Sequence, residues 1–176
     1  MAKRIITISR EFGSGGRFIG EEVAKKLGIA YYDKEMIGQI AEQAGLSSAY
    51  VRENAELSPK KGWFAYAFSG RDITGKSVED MVYEAQRKVI MEIAEKENCV
   101  IVGRNADFIL KDRKDVLNVF IHGSIPEKVR RICSLYNVTE VDAIKMINDI
   151  DKRRRTNYNF YTEQKWGMAR SEERRV

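Results

Sequence analysis

A glycine-rich turn close to the start of the chain, Phe12–Gly16, has residue types that suit anion binding. It follows a nearly continuous apolar segment and precedes a helical pattern, so its backbone N–H groups would surround a helix N-terminus, where an anion is favoured. Glycine allows the backbone to approach a phosphate group and to adopt positive φ. Arg17, in the first helical turn, adds a guanidinium suited to bidentate contact with phosphate oxygens. The pattern predicts a phosphate site made of Gly13, Ser14, Gly15, Gly16 and Arg17.

This loop departs from the phosphate-loop consensus GxxxxGK(S/T), because Gly16 stands at the lysine position and Arg17 at the position of the magnesium-binding hydroxyl. A second segment, Gly70–Ser77, matches the consensus completely. The segment before it, Phe64–Phe68, is aromatic and alanine-rich rather than rich in Val and Ile, and Ser77 also suits a helix cap. The sequence favours the first loop and leaves the second as an alternative.

The elements that would position the loop alternate between strand and helix. The predicted strands are Arg4–Ile8, Ile29–Tyr32, Cys99–Val102 and Val116–Ile121. Helical spacing relates Phe18, Ile19, Val23, Ala24 and Leu27, and further helices are predicted after Asp33, over Val78–Lys96, from Pro126 and over Val141–Arg154. Apolar strands alternating with helices predict an α/β fold with a doubly wound parallel sheet, whose ligands bind at the carboxyl ends of the strands.

Composition narrows the class of protein. The 176 residues suit one domain, and a hydrophobic fraction of 43% is enough for a packed core. No apolar run is long enough to span a membrane or to form a signal peptide, and two cysteines suit reduced, buried thiols, so a cytoplasmic protein without a membrane partner is predicted. The net charge of +5 predicts an anionic partner, either nucleotide or nucleic acid. The single histidine, His122, excludes a multi-histidine metal site, and no metal ligand is assigned.

Several segments together resemble the cytidylate kinase-like family of phosphate-loop nucleoside-monophosphate kinases. The most specific is Ile8–Arg17, and the resemblance covers about residues 3–167. Supporting segments are Ile19-Gly20, Leu27–Ile29, Tyr32–Glu35, Val100–Asp107, Asp151–Arg154 and Tyr158–Tyr161. The resemblance implies a phosphate-loop kinase fold with helical inserts: a core at about 1–36 and 73–135, a lobe binding the nucleoside monophosphate at about 37–72, and a lid at about 136–162.

The resemblance also implies roles for individual residues. Gly13, Ser14, Gly15, Gly16 and Arg17 would hold the phosphates of ATP, used with Mg²⁺. Asp33 would lie near the monophosphate pocket, although it also suits a helix cap. Arg104 would hold the monophosphate, with Asn105 in place of an aspartate. Arg17 and the candidate lid arginines Arg130, Arg131, Arg153 and Arg154 would stabilise the transferring phosphoryl group.

Three functions follow from these observations, in order of preference. The first is ATP-dependent phosphoryl transfer to a nucleoside monophosphate, with cytidylate favoured. The second is a nucleotide- or phosphate-binding module with impaired catalysis, suggested by the missing lysine. The third and least favoured is nucleic-acid binding through the basic run Lys152–Arg155 and the basic tail. Bases would stack on the interleaved aromatic residues Tyr158, Phe160, Tyr161 and Trp166. The charged tail 168–176 does not predict a strand, so the sheet is expected to lack its last edge strand. The oligomeric state is left open.

Overall fold

The computed structural model describes residues 4–43, 78–167 and 174–175. Within these ranges five strands alternate with six helices. In chain order they are β1 (Ile5–Arg10), α1 (Gly16–Leu27), β2 (Ala30–Tyr32), α2 (Lys34–Gln43), α3 (Val78–Lys96), β3 (Cys99–Val102), α4 (Ala106–Ile109), β4 (Val116–Ile121), α5 (Ile125–Tyr136), α6 (Glu140–Thr162) and β5 (Arg174–Arg175).

The strands form one parallel sheet in the order β2-β3-β1-β4-β5. The central strand β1 pairs with β3, where Ile5 lies opposite Cys99, and with β4, where Ile5 lies opposite Val116. The loop after β1 therefore emerges in the middle of the carboxyl edge, between the loops after β3 and β4. This is where a parallel α/β sheet binds its ligands.

Helices cover both faces of the sheet. Strand β3 is buried throughout, and its residues alternate between two apolar clusters. Cys99 and Ile101 belong to the cluster that includes residues of α2 and α3, whereas Val100 and Val102 belong to the cluster that includes Ala24 of α1. Burial on both faces explains why this strand reads as a continuous apolar run. The predicted α/β phosphate-loop fold is confirmed.

Helix α1 approaches the sheet through its smallest residues. Its buried positions are Gly16, Gly20 and Ala24. A Cβ built on Gly20 would lie 2.8 Å from Val102 Cγ2, so any larger side chain would push the helix away from the sheet. Of the apolar residues that share helical spacing, Phe18, Ile19 and Leu27 are instead exposed.

Two expectations about the C-terminal part are wrong. The last helix does not end at Arg154 but continues to Thr162, because Tyr158 and Thr162 are buried on its far half. The tail does contribute an edge strand: Arg174–Arg175 pairs in parallel with Val119 and Phe120 of β4. Strand pairing uses backbone groups, so a charged dipeptide is able to form it.

Some predictions fall outside the described residues. These are the alternative loop Gly70–Ser77 and residues 44–72 of the expected monophosphate-binding lobe, whose first residues belong to α2. No helix in the described ranges is both long and apolar enough to cross a membrane.

Candidate phosphate-binding site

The loop between β1 and α1 has the backbone shape of an anion cradle. Gly13 and Gly15 have φ of 80° and 85°, values that favour glycine, and Gly15 is the N-cap of α1. Ser14 is buried, and its hydroxyl donates to the Glu11 carbonyl at 2.8 Å, which fixes the turn. The loop therefore leads into the N-terminus of a twelve-residue helix, where backbone N–H groups favour phosphate binding.

Helix α5 places one of the expected arginines on this loop. The Arg131 guanidinium donates to the Gly13 carbonyl at 2.5 Å, and a Cβ at Gly15 would lie 3.3 Å from Arg131 Cζ. Its neighbour Arg130 is exposed on the same helix. Arg131 thus holds a positive charge at the rim of the cradle.

Helix α6 brings a second arginine to the loop. Arg154 Nη1 donates to the Arg10 carbonyl at 3.2 Å and lies 3.7 Å from Asp151 Oδ1, and the guanidinium sits 5.8 Å from the centre of the Phe12 ring. Arg153 instead pairs along the helix with Asp149 at 3.7 Å. Of the two lid candidates on α6, Arg154 is the one that contacts the loop segment.

A network of charges beneath the loop was missed by the sequence reasoning. Lys128 Nζ of α5 lies 3.0 Å from Glu11 Oε2 and 3.8 Å from Asp151 Oδ2, and the lysine side chain is only 4% exposed. Asp151 also accepts the Phe12 backbone N–H at 2.7 Å, and Glu11 accepts the Gly123 N–H at 3.3 Å. No spacing signal connects these residues, because each pair is more than a hundred positions apart or joins different helices.

The network shifts the acidity of its two carboxyl groups in opposite directions. Burial alone would raise the pKa of Glu11, but hydrogen bonds from Lys128 and Gly123 outweigh it and hold that pKa below its ordinary value. Asp151 is more deeply buried, and burial raises its pKa despite the Phe12 N–H and the nearby Arg154 and Lys128. The network ties the base of the loop to α5 and α6.

Arg17 and Asp33, predicted for different parts of the site, lie against each other. Arg17 Nη2 is 2.9 Å from Asp33 Oδ2 and 3.2 Å from Glu35 Oε2. Burial would lower the pKa of Arg17, but the two carboxylates outweigh that effect and raise it. Asp33 also accepts the backbone N–H groups of Glu35 and Met36, so it is the predicted helix cap. A phosphate that binds Arg17 would compete with these carboxylates.

The turn after β3 carries the expected acceptor-side residues in an unusual conformation. Gly103, Arg104 and Asn105 have successive φ values of 78°, 61° and 55°. Two consecutive non-glycine residues in the left-handed region cost free energy, which the surrounding structure must offset, and such strain concentrates at functional sites. Arg104 is 3% exposed, which excludes a surface ion pair, and Asn105 Nδ2 donates to Asn157 Oδ1 at 3.4 Å.

The residues of the site suit a polyphosphate ligand, whereas the described side chains do not define a metal site. The cradle offers backbone N–H groups, and arginines surround it, which matches the oxygen-rich surface of a triphosphate. Among the described residues no group of three or more His, Cys, Asp or Glu side chains is arranged to hold a metal ion. Mg²⁺ in phosphate sites takes most of its ligands from water and phosphate oxygens, so the described side chains assign it no ligand.

A parallel α/β sheet with a glycine-rich loop between its central strand and the following helix defines a phosphate-loop kinase fold. The chain belongs to the cytidylate kinase-like family, whose model matches residues 5–172. This confirms the resemblance seen in the sequence. Membership of this kinase-like family and the fold support nucleotide binding and phosphoryl transfer to a small substrate.

Two solved structures share the fold, and a third gives a lower similarity score. An uncharacterized protein from Eubacterium ventriosum superposes with a TM-score of 0.73 at 30% identity, over 98% of this chain and 86% of that chain. A Thermus thermophilus protein, TT1252, shares the fold with a TM-score of 0.52 at 14% identity, over 94% and 87% of the two chains. Shikimate kinase from Bacteroides thetaiotaomicron gives a TM-score of 0.49 at 20% identity, over 89% and 81%. No curated protein matches the chain.

Proposed function

We propose that the protein transfers a phosphoryl group from ATP, bound with Mg²⁺, to a nucleoside monophosphate, with cytidylate the favoured acceptor. The observation that carries the proposal is the glycine loop at the centre of the carboxyl edge, with Arg131 of α5 on its rim and Arg154 of α6 at its base. Membership of the cytidylate kinase-like family supports the choice of a nucleoside monophosphate as the acceptor.

The chain's own residues would act mainly by position and charge. Phosphoryl transfer needs little covalent help from a protein, because most of the catalysis comes from alignment and from stabilising charge on the transferring group. ATP supplies the γ-phosphoryl group when bound. The loop 13–16 would hold the donor phosphates through backbone N–H groups, while Arg17, Arg130, Arg131, Arg153 and Arg154 are the candidates for neutralising charge.

The acceptor side would use the turn after β3 and the start of α2. Arg104 is already buried, so a monophosphate that reached it would meet a guanidinium that loses little freedom on binding. Asp33 would fix the position of Arg17 through their 2.9 Å contact. The proposed lobe at 37–72 and the proposed lid at 136–162 would close over the two substrates and exclude water.

The test is a coupled assay of ADP release with ATP-Mg²⁺ and CMP, dCMP, UMP, AMP or GMP in turn. We expect turnover only with an acceptor present, highest with CMP, and a fall of about a hundredfold in Arg104→Gln, because that variant removes the acceptor-side charge. Arg4→Gln, at the opposite end of β1, is the control, since Arg4 is exposed and donates to Asn98. Failure of every acceptor to give turnover would overturn the proposal.

Two further variants separate the two candidate phosphate loops. If the first loop binds the donor, Arg17→Ala lowers turnover and Lys76→Ala leaves it unchanged. Loss of turnover in Lys76→Ala alone would assign donor binding to Gly70–Ser77 instead. Changes in both variants would show that both segments affect the reaction and would contradict the assignment to the first loop alone.

A catalytically impaired nucleotide-binding module is the second candidate, favoured by the absence of lysine and hydroxyl at positions 16 and 17. It predicts ATP binding measurable by calorimetry with no turnover for any acceptor. A nucleic-acid role has weaker support, because two of its proposed stacking residues are engaged inside the protein. Tyr158 is buried, and Tyr161 stacks on Tyr83 with ring centres 4.1 Å apart.

A further inference from the structure

The loop does not simply lack a cation; the charge stands at a different position of the same motif. When residues 10–17 are placed on GxxxxGK(S/T), Gly15 takes the second glycine, Gly16 the lysine and Arg17 the hydroxyl residue. Arg10 then takes the first glycine of the consensus. Compared with the consensus, the chain has a cation in place of the first glycine and a glycine in place of the lysine.

The structure shows that these two exchanges depend on each other. A Cβ built on Gly16 would lie 2.6 Å from Arg10 Cβ and 2.8 Å from Arg10 Cγ, which is closer than real Cβ atoms approach. The stem of the Arg10 side chain therefore runs through the space in which a side chain at position 16 would begin. With Arg10 present, position 16 accepts only glycine; with glycine at position 10, that space is open.

We propose that Arg10 supplies the phosphate-contacting cation that lysine supplies in the consensus loop. Arg10 is the last residue of β1, so its side chain starts at the entrance of the cradle, and its carbonyl is held by Arg154 at 3.2 Å. A guanidinium makes two parallel hydrogen bonds to phosphate oxygens where an ammonium acts as a point charge. The ligand class is a polyphosphate, and the inference rests on the proposed function for taking that polyphosphate to be ATP.

Four other cations lie near the loop. Arg131 and Arg154 reach it from α5 and α6 and donate to the Gly13 and Arg10 carbonyls. Lys128 lies between Glu11 and Asp151 with its side chain 4% exposed, so its charge is already used to hold the loop to α5 and α6. Arg17, in the first turn of α1, pairs with Asp33 and Glu35 of the segment after β2. Among the cations that the structure describes around the loop, Arg10 is the one whose side chain lies nearest to a Cβ built at position 16, from which the consensus lysine would extend.

The experiment is a double-mutant cycle on Arg10→Gly, Gly16→Lys and the variant that carries both. Isothermal titration measures binding of ATP and of inorganic tripolyphosphate, and thermal unfolding measures Tm. We expect Arg10→Gly to weaken binding of both ligands about tenfold to a hundredfold, as loss of a charged hydrogen-bond donor does. Gly16→Lys lowers Tm through the clash with Arg10, and the double variant, which restores the consensus at these two positions, recovers both Tm and binding.

Two more variants keep the test independent of folding defects. Arg10→Met keeps the aliphatic stem and removes the charge, so it should lose binding while Tm stays close to wild type. Arg4→Gln, directly before the same strand, is the matched control and should bind both ligands as wild type does. Binding unchanged in Arg10→Met, or a double variant no better than the worse single variant, would overturn the inference.

The readouts also separate this inference from the proposed function. Tripolyphosphate binding that depends on Arg10, without turnover for any acceptor, would support the inference and overturn the kinase proposal. Turnover and binding that do not depend on Arg10 would support the kinase proposal and overturn the inference. If the wild-type protein binds neither ATP nor tripolyphosphate, both are wrong.

Discussion

At the scale of single residues, the most consequential group is the lysine beneath the loop. Lys128 is almost fully buried between two carboxylates, and such a charge is tolerated only because its partners are present. Removing one member of a buried charge network leaves the others uncompensated, which destabilises more than the intact network stabilises. The network is therefore expected to show its effect mainly when it is broken.

We expect Lys128→Met to lower the free energy of unfolding at neutral pH by about 3 kcal/mol, because Glu11 and Asp151 are left facing each other without their shared cation. Urea unfolding measures this, and Lys88→Met, at an exposed site on α3, should change stability by less than about 0.5 kcal/mol. Equal effects in the two variants would show that the network is not energetically important.

The same variant has a defined dependence on pH. Lys128 lowers the pKa of Glu11, so the stability that it contributes is present above the ordinary value of 4.5 and is lost as the pH falls through the folded-state pKa. Protonation of Asp151, whose pKa is raised, also relieves the repulsion in Lys128→Met. The difference between wild type and variant should therefore shrink below pH 4.5, and a difference that grows there would contradict this account.

A second prediction at this scale concerns the two thiols. Cys99 is 0% exposed in the central sheet, and burial raises its pKa to about 11, whereas Cys133 is only partly buried. The thiolate is the reactive form, so iodoacetamide at pH 8 should modify Cys133 in the native protein and leave Cys99 intact until unfolding. Peptide mass mapping locates the label, and early modification of Cys99 would show that the sheet opens more readily than its burial implies.

At the scale of the elements, the sequence predicted the helices and strands whose burial follows a pattern of neighbouring apolar residues. The bounds of α3, β3 and β4 match the predictions because their apolar residues follow the helical period or form continuous buried runs. The extension of α6 depends on the burial of Tyr158 and Thr162 against other elements, and β5 depends on backbone pairing with β4. Both are long-range contacts, so neither was predicted from the sequence.

The same distinction applies to the candidate site. Glycine at positions 13 and 15 was predictable, because positive φ has a residue-type signature. The contact between Glu11 and Lys128 joins residues 117 positions apart and has no such signature. The pairing of Arg17 with Asp33 was also unforeseen, although both residues had been assigned to the site.

The close approach of α1 to the sheet gives a prediction at this scale. Gly20→Val should destabilise the protein by about 2 kcal/mol, because its Cβ would meet Val102 and Ile8 at 2.8 Å and 3.2 Å in a packed core. Glu21→Val, one residue further on an exposed face, is the control for the helix propensity of valine. Urea midpoints compare the two, and equal losses would mean that propensity, not packing, decides the effect.

At the scale of the whole molecule, α6 connects parts that are far apart in the sequence. Its first half packs on α5 through Ala143 and Ile147, and its middle contacts the loop through Asp151 and Arg154. Its last turns reach α4 and α3, where Tyr158 donates to Asp107 at 2.7 Å and Tyr161 lies 3.4 Å from Asp80. A lid at 136–162 remains a prediction, and its closure would have to act through these contacts.

This arrangement predicts that the phosphate loop and α6 lose order together. Asp151→Ala removes the acceptor of the Phe12 N–H and one carboxylate facing Lys128, so we expect faster deuterium uptake over residues 10–15 as well as over 140–162. Asp149→Ala, which breaks only the pair with Arg153 on the outer side of the helix, should change neither segment. Faster uptake confined to α6 would show that the loop holds its shape through Gly13, Ser14 and Gly15 alone. Uptake that rises in both segments would show that the order of the loop depends on α6.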